Sequence, residues 1–201
     1  MGYRKRFVVE PGTKVRLGKI APAFKDKHQS HDTAKAAIEK HVERMAKLQY
    51  LLYADGNQSL LVVLQALDAG GKDGVVRHVF SAMNPQGTWV FGFKQRLDDT
   101  PRHWKISDTD YSERELWPDY IEAFEDAMER TSTKHAPWYV IPSNHKWFRN
   151  LAISEIVADT LGDIDLKLPP TQVDIAEIRR KYHAAAQEER RGDKPPKGSH
   201  R

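Results

Sequence analysis

A glycine pair followed by a lysine is the part of this sequence with the clearest chemistry. Gly70 and Gly71 precede Lys72, and an apolar run, Leu60 to Leu64, lies shortly before them. Glycines let successive backbone N–H groups curve around an anion, a following helix adds the positive end of its dipole, and lysine adds a mobile charge. The spacing therefore predicts a phosphate-binding loop between a strand buried on both faces and a helix.

The loop departs from the usual phosphate-loop pattern at two positions. Ala66 stands where that pattern has its first glycine, and Asp73 stands where a Ser or Thr follows the lysine. A tight strand-to-helix turn in any α/β domain would have similar glycines, so spacing alone leaves that alternative open. Asp68, close to Lys72, favours a site for phosphate together with a metal ion. A carboxylate repels phosphate unless a divalent cation lies between them, and such a cation would bind both groups. We therefore predict a metal and phosphate site at this loop.

The neighbouring sequence predicts the elements that position the loop. A long helix is expected between Ser30 or Asp32, which can cap it, and Asp55–Gly56, which ends it. A second helix follows Lys72, and Thr88–Phe93 is expected to form a second strand. Strand, helix and strand make a βαβ unit with parallel strands. Its loop lies at their carboxyl ends, where ligands of α/β sheets bind.

Three more elements are predicted in the second half of the chain. Pro118 is expected to kink or start a helix, Trp138–Ile141 is expected as a third strand, and Asn144–Leu161 as a last helix. Lys146 and Arg149 lie in the first turn of that last helix, where positive charge opposes the helix dipole. They are either ordinary surface charges or part of an anion site.

Composition excludes several classes of protein. The 201 residues suit one domain, and the absence of cysteine excludes disulfides, thiolate nucleophiles and cysteine zinc sites. Without an apolar run near the roughly 20 residues of a membrane span, or a signal-peptide core, we expect a soluble cytoplasmic protein with no membrane contact. Residues 176–201 hold eight Lys and Arg against four Asp and Glu, which accounts for the net charge of +4. We interpret them as a solvated terminus rather than a nucleic-acid arm.

The chain is expected to have three parts. Residues 1–29 have no sustained hydrophobic period and are interpreted as an extended lead-in on the domain surface. Residues 30–162 form the phosphate-loop domain, and residues 163–201 form a basic, flexible tail.

Several blocks of the sequence resemble the polyphosphate kinase type 2 family. In chain order they are VEPGTKVRLGKI, HVERMAKLQYLLYA, LQALDAGGKDG, MNPQGTWVFGFK, RLDDTPRHWKIS and YIEAFEDAMERTSTKHAPWYVIPSNHKWFRNLA. The resemblance reaches from the lead-in to about Leu161, and it includes Ala66 and Asp73 as the family's own variants. The family consists of P-loop kinases that transfer phosphoryl groups between inorganic polyphosphate and nucleoside mono- or diphosphates, with magnesium.

The resemblance implies both a fold and roles for individual residues. The implied fold is an α/β, three-layer, P-loop kinase-like core, in which helices flank a reduced parallel sheet. Asp68 and Lys72 are the implied catalytic residues: Lys72 stabilises charge on the transferred group, and Asp68 holds Mg²⁺ or orients the attacking phosphate oxygen. The phosphate-binding residues are expected to be Ala69, Gly70, Gly71, Lys72, Asp73 and Gly74, to which the helix position adds Lys146 and Arg149.

Relative to the family pattern, a central segment is missing between Gln95 and Arg96. The family has there a second acidic motif, an arginine-rich lid and a further strand. In other phosphoryl-transfer enzymes, losing such arginines costs about 10³ to 10⁵ in rate. The phosphate-loop strand would lose both neighbours, so the strands re-pair as a three-stranded sheet, another subunit of a homo-oligomer supplies the edges, or the chain folds poorly.

We therefore predict a polyphosphate-dependent nucleotide phosphotransferase whose activity is impaired by the missing segment. The alternative is a non-catalytic relative that binds polyphosphate or nucleotide through the loop and basic surface. A nucleic-acid binder is a weaker third hypothesis, because it rests on the basic tail alone.

Overall fold

The structure is a computed structural model that describes residues 2–66, 70–84, 116–171 and 173–192. The chain divides into two compact units, Met1–Leu166 and Lys167–Arg201. The described helices are α1 (Tyr3–Phe7), α2 (His31–Asp55), α3 (Lys72–Val79), α4 (Trp117–Thr131), α5 (Lys146–Gly162) and α6 (Ile175–Gly192), with a short 3₁₀ helix at Leu17–Lys19. The described strands are β1 (Val8–Val9) and β2 (Trp138–Tyr139).

Helix α2 begins and ends where the sequence predicts. Ser30 and Thr33 form a capping box, in which each side chain accepts a hydrogen bond from the backbone N–H of the other residue. Gly56 ends the helix in the left-handed conformation, with φ of 68°. Ala34 and Met45, whose spacing places them on one face of the helix, are completely buried. Local capping and hydrophobic period therefore suffice to define this helix.

Helix α5 lies at the centre of the first unit and packs against α1, α2 and α3. Phe148, Leu151 and Ala152 join Tyr3 and Phe7 of α1 in one hydrophobic cluster. The other half of the helix packs in a second cluster, whose buried members are Met45, Val75, Val79, Val157, Ala158 and Leu161. The predicted last helix is confirmed, and it ties the N-terminal segment and the helix after the glycines to one core.

The described sheet is antiparallel, so the prediction of a parallel sheet is wrong for the residues described. Val8 pairs with Tyr139, and Val9 pairs with Trp138. Ser132 braces the pair, because its Oγ donates to the carbonyl of Val9 at 2.5 Å and accepts from the backbone N–H of Trp138 at 3.1 Å. The pairing joins distant segments, and hydrophobic alternation within Trp138–Ile141 cannot identify such a partner.

The apolar run Leu60 to Leu64 is not a strand buried on both faces, which corrects the prediction made for it. The run has irregular backbone, and the side chains of Leu61 and Val63 are 82% and 71% exposed. Leu60 and Leu64 pack against the cluster that includes Val75. One side of the run is therefore covered, and no strand of the described residues pairs with it. The predicted second strand, Thr88–Phe93, lies outside the described residues.

The ends of the chain contain more regular structure than the sequence predicts. The N-terminal segment, expected to be extended on the surface, includes α1 and buries Tyr3, Phe7, Val9 and Val15. The second unit contains α6, within residues expected to form a flexible tail. In α4, Pro118 occupies the first turn, so it starts the helix and does not kink it, because the missing N–H of proline costs nothing there. None of the described helices is both long and apolar enough to cross a membrane.

Candidate functional site

Gly70 and Gly71 lie directly before the first residue of helix α3, Lys72. Gly71 is the N-cap residue of α3 and has a φ of 84°, a conformation that glycine adopts without steric strain. The carbonyl of Gly71 accepts the first hydrogen bond of the helix from the N–H of Val75, at 3.1 Å. Gly71 has no side chain with which to cap this helix end. The backbone N–H groups of the first turn therefore present the positive end of the helix dipole, which attracts anions.

The position of α3 is fixed by burial rather than by capping. Val75 is 2% exposed and Val79 is fully buried, and both belong to one cluster with Met45 of α2 and with Val157 and Leu161 of α5. Because α3 presents its apolar face to α5, its first turn is held close to the first turn of α5. The glycines and Arg149 of α5 are brought together in this way.

Arg149 is the basic residue that the packing brings to the glycines. Its side chain reaches Gly71 and Gly74, since a methyl group at Gly71 would overlap with Nη1 and one at Gly74 would lie 3.0 Å from Nη2. The residue is 5% exposed, and burial lowers the pKa of its guanidinium group. Among the described residues, no carboxylate forms an ion pair with it. The site therefore contains a buried positive charge that faces a glycine-lined helix N-terminus.

Asn150 supplies the side-chain hydrogen bonds of Arg149. Its Oδ1 accepts from Nε of Arg149 at 3.2 Å and from Nη2 at 3.0 Å. Sequence reasoning missed Asn150, because an amide next to an arginine within a helix is common and has no distinctive spacing.

Lys72 lies at the same helix end. Its Nζ donates to the backbone carbonyl of Ala66 at 2.6 Å, which holds the amine against the segment before the glycines. Asp73 is exposed in the first turn of α3, and Lys146 is exposed in the first turn of α5. No described contact joins Lys146 to the glycines.

Two of the predicted site residues, Asp68 and Ala69, lie outside the described residues. The described residues contain no group of three or more His, Asp or Glu side chains that could hold a metal ion. Mg²⁺ in kinase sites is commonly held by one or two carboxylates together with substrate phosphates, so such a group is not required. The fit of magnesium to this site rests on Asp68.

The described geometry is suited to binding a phosphate group. Backbone N–H groups, a buried guanidinium and an amine converge on one helix end, and each prefers an anionic partner. A buried cation that lacks a carboxylate partner is costly, and an anionic ligand would supply the missing charge. The grouping of Gly71, Lys72, Gly74 and Arg149 is what the structure adds to the sequence prediction.

Comparison with known proteins gave consistent results. The model of the family described as polyphosphate kinase 2 (PPK2) matches residues 28–95 and 90–169. An ADP-polyphosphate phosphotransferase of Rhodopseudomonas palustris is 26% identical over 271 residues, covering 83% of this chain and 92% of that protein. An AMP/ADP-polyphosphate phosphotransferase of Meiothermus ruber is 28% identical over 257 residues, covering 82% of this chain and 95% of that protein. The crystal structure of polyphosphate kinase 2 from Arthrobacter aurescens TC1 is similar with a TM-score of 0.79 and 25% identity, over 92% of this chain and 98% of that one.

Proposed function

The chain belongs to the polyphosphate kinase 2 family, and we propose that it is a polyphosphate-dependent nucleotide phosphotransferase. It would move a phosphoryl group between inorganic polyphosphate and a nucleoside mono- or diphosphate, as the names of its relatives indicate for those proteins. The observation that carries the proposal is Arg149, a buried cation facing Gly71 at the start of α3. A phosphate group bound there would supply the negative charge that the described carboxylates do not.

Roles for the site residues follow from the chemistry of phosphoryl transfer. The reaction needs the attacking and leaving oxygens to be aligned. It also needs the negative charge on the equatorial oxygens of the transferred phosphoryl group to be neutralised. We assign phosphate binding to the N–H groups of residues 69–74, to Arg149 and to Lys146, and neutralisation of the transferred group to Lys72. Asp68 would hold Mg²⁺ together with substrate oxygens, and the ion would neutralise further phosphate charge. Because the proposed substrates include nucleotides, we place the protein in the cytoplasm.

We further propose that the chain lacks part of the family's catalytic machinery. The alignment with the Rhodopseudomonas palustris protein extends over 271 residues, which is more than the 201 residues of this chain. The two segments matched by the family model meet at residues 90–95, next to the predicted gap after Gln95. If an arginine lid is missing there, turnover should be slower by about 10³ to 10⁵, the effect of losing such an arginine elsewhere.

The direct test is turnover by the purified full chain. With long-chain polyphosphate, Mg²⁺ and ADP or AMP, phosphorus NMR and a luciferase assay should detect slow formation of ATP or ADP. Lys72→Ala should lower the rate by about a hundredfold, as loss of one charge-stabilising donor does in other enzymes. Lys47→Ala is the control, because Lys47 is exposed on α2 and paired with Glu43. Product formation that is insensitive to Lys72→Ala would contradict the assignment, and turnover at ordinary kinase rates would remove the proposed impairment.

The second candidate is a non-catalytic protein that binds polyphosphate or nucleotide through the same site. The matched segments that meet at residues 90–95 favour it, because the loop is retained while the lid is predicted to be missing. Tight, salt-dependent polyphosphate binding without turnover would support this candidate. A nucleic-acid binder would require retention of DNA or RNA that disappears when residues 176–201 are deleted.

A further inference from the structure

The hydrogen bonds that Asn150 accepts determine the orientation of the Arg149 guanidinium group. Nε and Nη2, the two donors to Asn150 Oδ1, lie on one edge of the planar guanidinium group. An acceptor that binds both donors fixes the rotation of the plane. With that edge occupied, Nη1 is the nitrogen that lies against Gly71.

The acceptor is a neutral amide, and this matters for the charge at the site. A carboxylate in the same position would accept the same two hydrogen bonds and would also neutralise the guanidinium, as bidentate Arg–carboxylate pairs do. The amide fixes the orientation and leaves the full positive charge. In the first unit, by contrast, Arg4, Arg16, Arg44 and Arg130 are each paired with a carboxylate.

We propose that Asn150 is a positioning residue for phosphate binding, which orients Arg149 toward the glycines of α3 without neutralising it. The inference rests on the proposed function, since it takes phosphate as the ligand of Arg149. It predicts that the residue at position 150 must be both an acceptor and uncharged. A carboxylate there should improve the pairing of Arg149 and at the same time weaken phosphate binding.

Asn150→Asp in the full chain separates the effect of residue 150 on the pairing of Arg149 from its effect on phosphate binding. Binding of tripolyphosphate is measured by isothermal titration calorimetry at several salt concentrations, and unfolding is measured in urea. We expect Asn150→Asp to weaken binding by about tenfold, because a charge-assisted hydrogen bond is replaced by a neutralised pair, and to flatten the salt dependence. Its urea midpoint should equal or exceed that of the wild type. Asn150→Ala should weaken binding less, since it frees the guanidinium but keeps its charge.

Two further variants serve as controls. Asn144→Asp makes the same change of charge at an exposed position six residues earlier, and its binding should match that of the wild type. In the double variant Arg149→Gln with Asn150→Asp, binding should be no weaker than in Arg149→Gln alone, because position 150 acts through Arg149.

The outcomes distinguish this inference from the proposed function. If the wild type fails to bind tripolyphosphate at millimolar concentration, the phosphate site itself is wrong and the inference is overturned with it. If the wild type binds and Asn150→Asp binds equally well with the same salt dependence, only the positioning role is overturned. The same follows if Asn150→Asp loses binding and unfolding stability in parallel, since Asn150 would then be a structural residue.

Discussion

Arg149 is the residue at which stability and binding conflict most directly. Burying a cation without a charged partner is costly. The same loss of hydration lowers the pKa of the Arg149 guanidinium group. Asn150 offsets part of it by accepting two hydrogen bonds. Gly71 and Gly74 make room for the side chain, because neither has a Cβ atom. The buried position of Arg149 therefore depends on glycine at positions 71 and 74.

At Gly71, we expect an alanine to disrupt the site and not only the backbone. Gly71→Ala adds strain at a φ of 84° and a methyl group that overlaps with Nη1 of Arg149, so Arg149 must move. Tripolyphosphate binding should fall by at least about tenfold, the loss of one charge-assisted contact. Gly12→Ala is the matched control, because Gly12 has a φ of 70° with open space around it. Equal binding by wild type and Gly71→Ala would contradict the close approach of Arg149 to the glycine.

His41 makes the stability of the first unit depend on pH. Burial lowers its pKa, and the nearby carboxylate of Glu155, 3.9 Å from Nε2, opposes the shift only in part. Below the unfolded pKa of about 6.5, the unfolded chain binds a proton that the folded chain resists. The free energy of unfolding should therefore fall as the pH drops through about 6.5 toward the lower folded pKa.

His41→Gln tests this dependence. Urea unfolding at about pH 7.5 and pH 5.5 should show a smaller loss of stability on acidification in the variant than in the wild type. His135→Gln makes the same substitution at an exposed histidine and serves as the control. An unaltered difference between the two pH values in His41→Gln would show that other groups cause it.

At the scale of elements, the first unit is organised by helix α5. It contributes to two hydrophobic clusters, and its partners include α1 from the N-terminus and α3 from the glycine loop. The long helix α2 also packs against it. Arg44 and Asp159 join the two helices by an ion pair at 2.5 Å, but its exposed position limits its contribution.

The start of α2 offers a test of local capping. Ser30→Ala removes one half of the capping box with Thr33, and such changes cost about 1 kcal/mol of stability. The free energy of unfolding in urea should fall by that amount. Ser59→Ala, at an exposed serine outside the helices, is the control. A change below about 0.3 kcal/mol, less than the usual cost of losing a cap, would show that packing alone fixes the start of α2.

At the scale of the whole molecule, the segment before the glycines exposes apolar side chains. Leu61 and Val63 are 82% and 71% exposed in a run with no regular pairing among the described residues. Contiguous exposed apolar surface favours association. If the chain self-associates through this segment, as we propose from its exposed apolar side chains, Leu61→Lys with Val63→Lys should shift sedimentation velocity profiles toward the monomer.

A matched pair of substitutions on α2 controls for charge and lost apolar surface. Tyr50→Lys with Tyr53→Lys also replaces two exposed apolar residues and should leave the association of the chain as in the wild type. Sedimentation profiles that respond to the α2 pair and not to the Leu61 pair would place the association elsewhere.

The sequence by itself determined the features that depend on neighbouring residues. Ser30 and Gly56 bound α2, Gly71 precedes α3, and Pro118 lies in the first turn of α4, because capping, left-handed glycine and proline act within a turn. The motif blocks also identified the family, since they are local strings of residues.

Only the tertiary structure decided which distant segments meet. Strand Trp138–Tyr139 pairs with Val8–Val9, because a short strand can pair with any segment that packing brings beside it. The run Leu60 to Leu64 is half covered for the same reason, since its burial depends on what lies next to it. Arg149 faces Gly71 because the apolar face of α3 packs against α5. Its role as a buried cation rather than a surface charge follows from that packing.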